Sequence, residues 1–347
     1  MRLKVVPENW IERIALWLGL VPLPLVDTQF AYLLARTIMT AQDIGLFEAL
    51  RDGPLDADEA AARCKVHPRA LRQLLHTLVG AGYLRLRAGR FSLTPKVRKW
   101  LLRGTPQSLY DKMRFQFVEY DLIRHYSDYV RTGESVAIHQ TFTPDDWDRY
   151  MRAMRDLARL NGAEVGWRTP VPRSARNLLD IGGSHGHFAA QLCRRHPGLR
   201  AEILELPAAI AASAPILAEE GMGDRVVHRA GDALSDDLGE AAWDVILISQ
   251  LVHHFSEAEN QALVGRAARA LRPGGVLVVQ EVIRPGDPGG AGTVGSLLDL
   301  YFAATSASGT WPVAAISSWM QAAGLTVKRP IWLQTLPGAA QVWSVKP

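Results

Sequence analysis

Asn177-Leu178-Leu179-Asp180-Ile181-Gly182-Gly183-Ser184-His185-Gly186-His187-Phe188-Ala189-Ala190 is the stretch on which the fold turns. A short apolar run ends beside an acid, breaks into glycines and resumes as a helix-forming run, which reads as a buried strand, a tight turn and a helix start. Glycines let backbone approach a ligand closely and adopt positive φ. The dinucleotide fingerprint asks for glycine at its first, third and sixth positions. Counted from Gly182, the third and sixth positions are Ser184 and His187, so the nicotinamide reading fails. What remains is an acid at a strand end over closely spaced glycines, suited to a charged amino-acid moiety rather than a pyrophosphate.

Outward from that loop, strands and helices alternate from about Pro172. Further strands are expected at Ala201 to Leu204, Val226 to His228, Val245 to Ser249 and Val276 to Glu281, with Val327 to Val345 as a terminal hairpin. One helix fits between each pair of early strands, which implies a parallel sheet covered on both faces. Glu205 ends the second strand, where a carboxylate can accept from both ribose hydroxyls; the plainer reading is a solvated loop carboxylate before Leu206-Pro207. Gly231-Asp232-Ala233 follows the third strand and offers a short acceptor for an adenine amino group, although Gly-Asp pairs are common turns. Together these sites describe an adenosine laid across the carboxyl ends of the strands, and Leu206 and Gln250 join the expected cofactor contacts.

After the fourth strand the chain runs Ser249-Gln250-Leu251-Val252-His253-His254-Phe255-Ser256. Histidine titrates near neutrality, so one beside the cofactor can take a proton from a substrate hydroxyl; the plainer reading is a histidine pair at a helix start. A metal is not expected, because no third ligand is spaced to join the pair. Glu281, ending the fifth strand, can hold the histidine tautomer, or is a surface carboxylate.

Nearer the front, Ala31 to Leu50 is an apolar-periodic run, Asp56 to Cys64 a capped helix, and Pro68 to His76 starts a third helix closed by Gly80 and Gly82. Tyr83 to Arg87 turns at Ala88-Gly89 into Arg90 to Leu93, and two helices followed by a hairpin make a winged helix. Between about Ser108 and Glu164, aromatic-rich segments carry Phe115, Trp147, Tyr150, Met151 and Met154, mostly core, with Met154 a candidate contact for a flat apolar acceptor.

At 347 residues the chain is about twice the usual domain length, so two packed units are expected. With 48% hydrophobic and 21% charged residues it has material for a sizeable core. Ile14 to Val26 is too short to span a bilayer and is interrupted by Pro22 and Pro24; it reads as a packed N-terminal helix and turn rather than a signal peptide. Cys64 and Cys193 are too few for a disulfide framework, which fits a reducing cytoplasm. A net charge of +4, scattered along the chain, is too mild to argue for nucleic acid.

Two front segments, Ala41-Gln42-Asp43-Ile44-Gly45-Leu46-Phe47-Glu48-Ala49-Leu50 and Leu74-Leu75-His76-Thr77-Leu78-Val79-Gly80-Ala81-Gly82-Tyr83-Leu84, join the Asp-x-Gly-Gly-x-x-Gly loop in one resemblance. From about Asp27 onward the chain resembles the small-molecule O-methyltransferases that use S-adenosylmethionine and carry an N-terminal winged-helix dimerisation domain: the acetylserotonin, hydroxyneurosporene, plant phenolic and antibiotic-tailoring type. The resemblance implies a class I methyltransferase α/β fold, a Rossmann-like, mostly parallel sheet with an antiparallel C-terminal hairpin. It implies a dimerisation domain over 1–105, connecting helices lining the acceptor pocket over 106–165, a cofactor-binding catalytic domain over 166–347, and a cytoplasmic homodimer without membrane or nucleic acid. It places the methionine part of the cofactor on Asp180, Gly182, Gly183 and Gly186, ribose on Glu205, and adenine on Asp232 with Ala233. The general base falls on His253, first histidine of a Leu-His-Asp-Trp-like segment, with Glu281 in support; no metal is implied. Thr310 stands where plant-type members place a second glutamate. That departure leaves as alternatives a carbon acceptor or another use of the cofactor. A rival from a different class is a DNA-binding regulator sensing an adenosine ligand, resting on Arg69, Arg72, Arg85, Arg87 and Arg90.

Overall fold

The computed structural model describes residues 5–286, 288–306 and 308–347, and of residues 288–293 the backbone alone. The chain divides into two compact units, one running to Phe117 and the other from Val118 to Pro347, and the boundary falls within the Tyr110–Leu122 helix.

The first unit is a winged helix. Asp56 caps the Ala57–Cys64 helix in a reciprocal box with Glu59, a feature whose loss typically costs about 1 kcal/mol. The Pro68–Gly80 helix starts on proline and buries Leu71, Leu75 and Leu78, one face at i, i+4 and i+7; each such burial contributes about 1.5–3 kcal/mol. Strands β1 (Leu84–Arg87) and β2 (Arg90–Leu93) pair antiparallel across Ala88 and Gly89, both at positive φ as a two-residue hairpin requires. The apolar run expected from Ala31 to Leu50 is not one helix. It stops at Asp43, and Gly45 at φ +71° starts a separate turn, Leu46–Ala49. The Trp10–Trp17 helix corrects a second expectation: it is not packed. None of its residues is buried, and Trp10 and Trp17 are 70% and 82% exposed. Most of its apolar side chains are left exposed, with only Ala15 and Leu16 partly covered, so local helix propensity and the Asn9 cap hold it instead.

The second unit is an α/β layer structure. Strands β3 (Asn177–Ile181), β4 (Arg200–Glu205), β5 (Val226–Ala230), β6 (Trp243–Ser249), β7 (Leu271–Val282), β8 (Thr326–Val327), β9 (Ile331–Trp332) and β10 (Ala339–Val345) form one sheet. Its order is β5-β4-β3-β6-β7-β10-β8, with β9 also on β10; β3 to β7 are parallel and β10 is antiparallel to β7, β8 and β9. The terminal hairpin is thus a long strand flanked by two short ones. Alternation divides the strand residues between two cores: Leu179, Ile181, Ile246 and Ile248 face the Glu257–Ala270 and Val313–Ala322 helices, and Leu178, Ile203, Val245 and Leu247 face the His187–Arg195 helix. Helices link β3 to β4 and β4 to β5, as expected, but β5 reaches β6 through a turn-rich segment instead. The order reverses between β3 and β6, and open α/β sheets bind ligands outside the carboxyl ends at such a point. Among the described residues no helix is long and apolar enough to cross a membrane.

Candidate functional site

At the end of β3 the backbone takes positive φ at Gly182, Ser184 and Gly186, and Gly186 caps the His187–Arg195 helix. Each glycine is also demanded by space. A Cβ on Gly182 would lie 2.9 Å from Leu251, one on Gly183 2.4 Å from the Asp180 carboxylate, and one on Gly186 2.5 Å from Leu217. The contact with Leu251 also sets the loop after β6, which carries His253, directly over the glycine loop.

Asp180 is 1% exposed, and neither carboxylate oxygen has a hydrogen-bond partner among the described residues. Burial, and secondarily the Glu205 charge, push its carboxyl up to about 7. A buried acid left unpaired is costly, and a ligand ammonium would relieve that cost. Glu205 accepts the Ser184 N–H at 3.0 Å and the Leu206 N–H at 2.8 Å. Burial nonetheless raises its carboxyl above the ordinary range. Leu206, 41% exposed, precedes the Pro207–Ala218 helix. Gln250 adopts φ +54°, and its side-chain amide nitrogen is buried with no hydrogen-bond partner among the described residues. Asp232 is exposed and accepts the Leu234 N–H at 2.8 Å, so part of its capacity closes a turn, while the Ala233 carbonyl accepts from Arg266.

On the other side of the cleft, His253 and Glu281 are both buried, with Nδ1 and Oε2 3.0 Å apart. The carboxylate accepts, so Nδ1 carries the hydrogen and Nε2 keeps its lone pair. The second carboxylate oxygen accepts the Val282 N–H at 2.9 Å. Phe302 stacks on His253 with ring centres 4.0 Å apart. His254 turns elsewhere, its Nδ1 2.8 Å from Ser306 Oγ.

Sequence reasoning missed several neighbours. His228 Nε2 meets the Ser184 carbonyl at 2.7 Å and braces the glycine loop from β5. Met151 on the Pro144–Arg168 helix lies 2.8 Å from Ser184 Oγ through its sulfur. Met154, the methionine singled out in the sequence, is half-buried one turn later. Trp147 and Tyr150 pack with Phe142 and His139, and burial holds the Tyr150 phenol well above its ordinary range. Aromatic richness was the available signal, but helix facing was not. Thr310 is fully buried, and its N–H and hydroxyl donate to Asp299, which also accepts from Arg284. It therefore latches a turn and supplies no acid. In the winged helix, Arg72 pairs with Asp58 and Arg90 with Glu59, which weakens the DNA-binding alternative by engaging two of its cations.

Comparison with known proteins bears on the family and the fold. The O-methyltransferase domain family matches residues 124–324, and the O-methyltransferase dimerisation domain matches residues 26–103. The 3-hydroxy-5-methyl-1-naphthoate 3-O-methyltransferase of Streptomyces sahachiroi is 25% identical over 332 residues, covering 92% of this chain and 93% of the relative. Acetylserotonin O-methyltransferase of Mus musculus is 29% identical over 299 residues, covering 79% and 76%. In fold, human N-acetylserotonin methyltransferase in complex with SAM superposes with a TM-score of 0.82 over 99% of both chains at 18% identity.

Proposed function

The chain belongs to the S-adenosylmethionine-dependent O-methyltransferase family with an N-terminal dimerisation domain, and on that premise we propose that His253 is the general base acting on a hydroxyl of an aromatic or polyketide-like small molecule. The observation that carries the assignment is the buried His253–Glu281 pair, with the imidazole held Nε2-free beside the glycine loop. When bound, S-adenosylmethionine would supply a methyl already activated by its sulfonium. His253 Nε2 would take the proton of the acceptor hydroxyl, and Glu281 would stabilise the imidazolium that forms. Such proton transfer contributes about a hundred- to ten-thousand-fold in rate, and alignment of the two reactants supplies much of the rest.

The orphaned Asp180 carboxylate fits the amino group of the cofactor, across the backbone space that Gly182, Gly183 and Gly186 keep open. Glu205 takes the ribose hydroxyls, with Leu206 packing beside it, and Asp232, Ala233 and Gln250 complete the cofactor contacts. Met154 and the aromatic residues on its helix contact the acceptor. The exposed apolar side chains of Trp10, Ile11, Ile14 and Trp17 support a homodimer through the N-terminal domain. The two cysteines are free, which supports a cytoplasmic location.

Calorimetric titration with S-adenosylhomocysteine, together with methyl-transfer assays on phenolic acceptors, tests the reading. Glu205→Ala should lose cofactor binding, whereas His253→Ala should keep it and lose turnover. Full turnover in His253→Ala refutes the base.

A further inference from the structure

His253 does not stand alone at the reacting end of the cleft. Its ring centre lies 4.1 Å from that of His254, and His254 lies 4.7 Å from His139, so three imidazoles form a row leading from the base into the cluster of Phe142, Trp147 and Tyr150. Among the described residues only the first has a carboxylate partner. His254 is anchored through Nδ1 to Ser306, leaving Nε2 without a hydrogen-bond partner among the described residues. His139 stacks on Trp147 at 5.4 Å and meets Tyr150 edge-on at 5.2 Å, and neither of its nitrogens is hydrogen-bonded among the described residues. Both residues are only partly buried. Two imidazoles with unspent nitrogens, walled by aromatic faces and in line with the base, are arranged to read the ligand rather than to hold the fold.

We propose that His254 and His139 are specificity-determining residues that take a second, uncharged hydroxyl or keto group of the acceptor, neighbouring the hydroxyl presented to His253. The proposal rests on the reading of His253 as the base, which fixes where the reacting hydroxyl sits. A neutral imidazole offers one donor and one acceptor, so it pairs with either group. Burial and the neighbouring His253 hold His139 down to about 4, and burial, His253 and His139 hold His254 well below its ordinary value. Neither ring therefore offers a cation near neutral pH, and a carboxylate in the same place would be buried without a counter-charge. The segment that resembles Leu-His-Asp-Trp has His254 where the acid would stand, so this chain presents an uncharged group at that position.

Protein saturated with S-adenosylhomocysteine is titrated calorimetrically with 2-naphthol, 2,3-dihydroxynaphthalene and 3-hydroxy-2-naphthoate. The diol should bind roughly threefold to tenfold more tightly than the naphthol, the span of one net hydrogen bond, and the naphthoate most weakly. His254→Phe should bring the diol-to-naphthol ratio towards one while leaving S-adenosylhomocysteine affinity unchanged. His254→Asn, which keeps polar atoms at the position, should restore part of the preference, and His139→Phe should lower it. An unchanged ratio in both phenylalanine variants, or a preference for the naphthoate, overturns the proposal. Methyl transfer by His253→Ala is measured alongside: turnover surviving there removes the base, whereas a diol preference that His254→Phe abolishes supports the selection whichever way that assay falls.

Discussion

Replacing Asp180 by Asn should stabilise the ligand-free protein above neutral pH while weakening cofactor binding. The carboxyl is buried without a partner and sits at about 7, against about 3.9 in an unfolded chain. That displacement of about three pH units corresponds to on the order of 4 kcal/mol disfavouring the folded state once the group is ionised. Between the two values the folded protein binds a proton that the unfolded chain has already lost, so this group's contribution to stability falls as pH rises from about 4 to 7 and then levels. Asparagine carries no such penalty, but it leaves amide donors unpartnered at a cost of about 1–3 kcal/mol. The net gain should be on the order of 1–3 kcal/mol at pH 8 and should reverse to a loss of about 1–3 kcal/mol towards pH 4, where the wild-type carboxyl is protonated and only the amide cost remains. Urea unfolding of the wild type and Asp180→Asn at pH 4.5, 6 and 8 measures it. S-adenosylhomocysteine affinity should fall roughly ten- to a hundredfold, because the charge-assisted bond to the ammonium is lost. A stability difference that does not vary with pH, or an asparagine variant less stable than wild type at pH 8, would refute the argument.

The same carboxyl predicts a proton count. Cofactor binding at pH 6.5 should release roughly three quarters of a proton as Asp180 ionises against the ammonium, seen as a dependence of binding heat on buffer ionisation enthalpy. Gly183→Ala forces a Cβ to within 2.4 Å of the Asp180 carboxylate and should weaken S-adenosylhomocysteine at least about tenfold, read by the same titration. Glu281→Gln should lower the single-turnover rate by about a hundredfold with cofactor affinity intact, because the amide no longer stabilises the imidazolium. Thr310→Val removes a hydroxyl donor to Asp299 and should cost about 1–3 kcal/mol in urea unfolding. Trp10→Ser with Trp17→Ser should shift sedimentation towards the monomer.

Much of the architecture was legible in the sequence because it rests on local chemistry. Short apolar runs marked every strand of the parallel sheet to within about five residues, and in the folded chain Leu178 and Leu179 enter opposite cores as their parity requires. Asp56 with Glu59, and Pro68 at a helix start, announced the winged helix through caps that involve neighbours in the chain. The glycine loop carried its own reason, since only glycine leaves backbone space beside Asp180 and Leu251. Where reading along the chain failed, the deciding contact came from elsewhere. Gly45 broke an apolar run whose periodicity continued through it, and the Trp10–Trp17 helix matched a buried pattern without any surface to bury it. Met151, which the sequence did not single out, meets Ser184 from the Pro144–Arg168 helix. Helical spacing says which residues share a face, but the rotation of that face towards the loop is set by packing against the rest of the unit. For the same reason the sequence could name His253, His254 and Glu281 but could not distinguish the imidazole paired with the carboxylate from the one turned to Ser306 and His139. Composition, apolar runs and glycine spacing determined the fold and a candidate seat for the cofactor; the group of imidazoles exists only once segments distant in the chain are packed side by side.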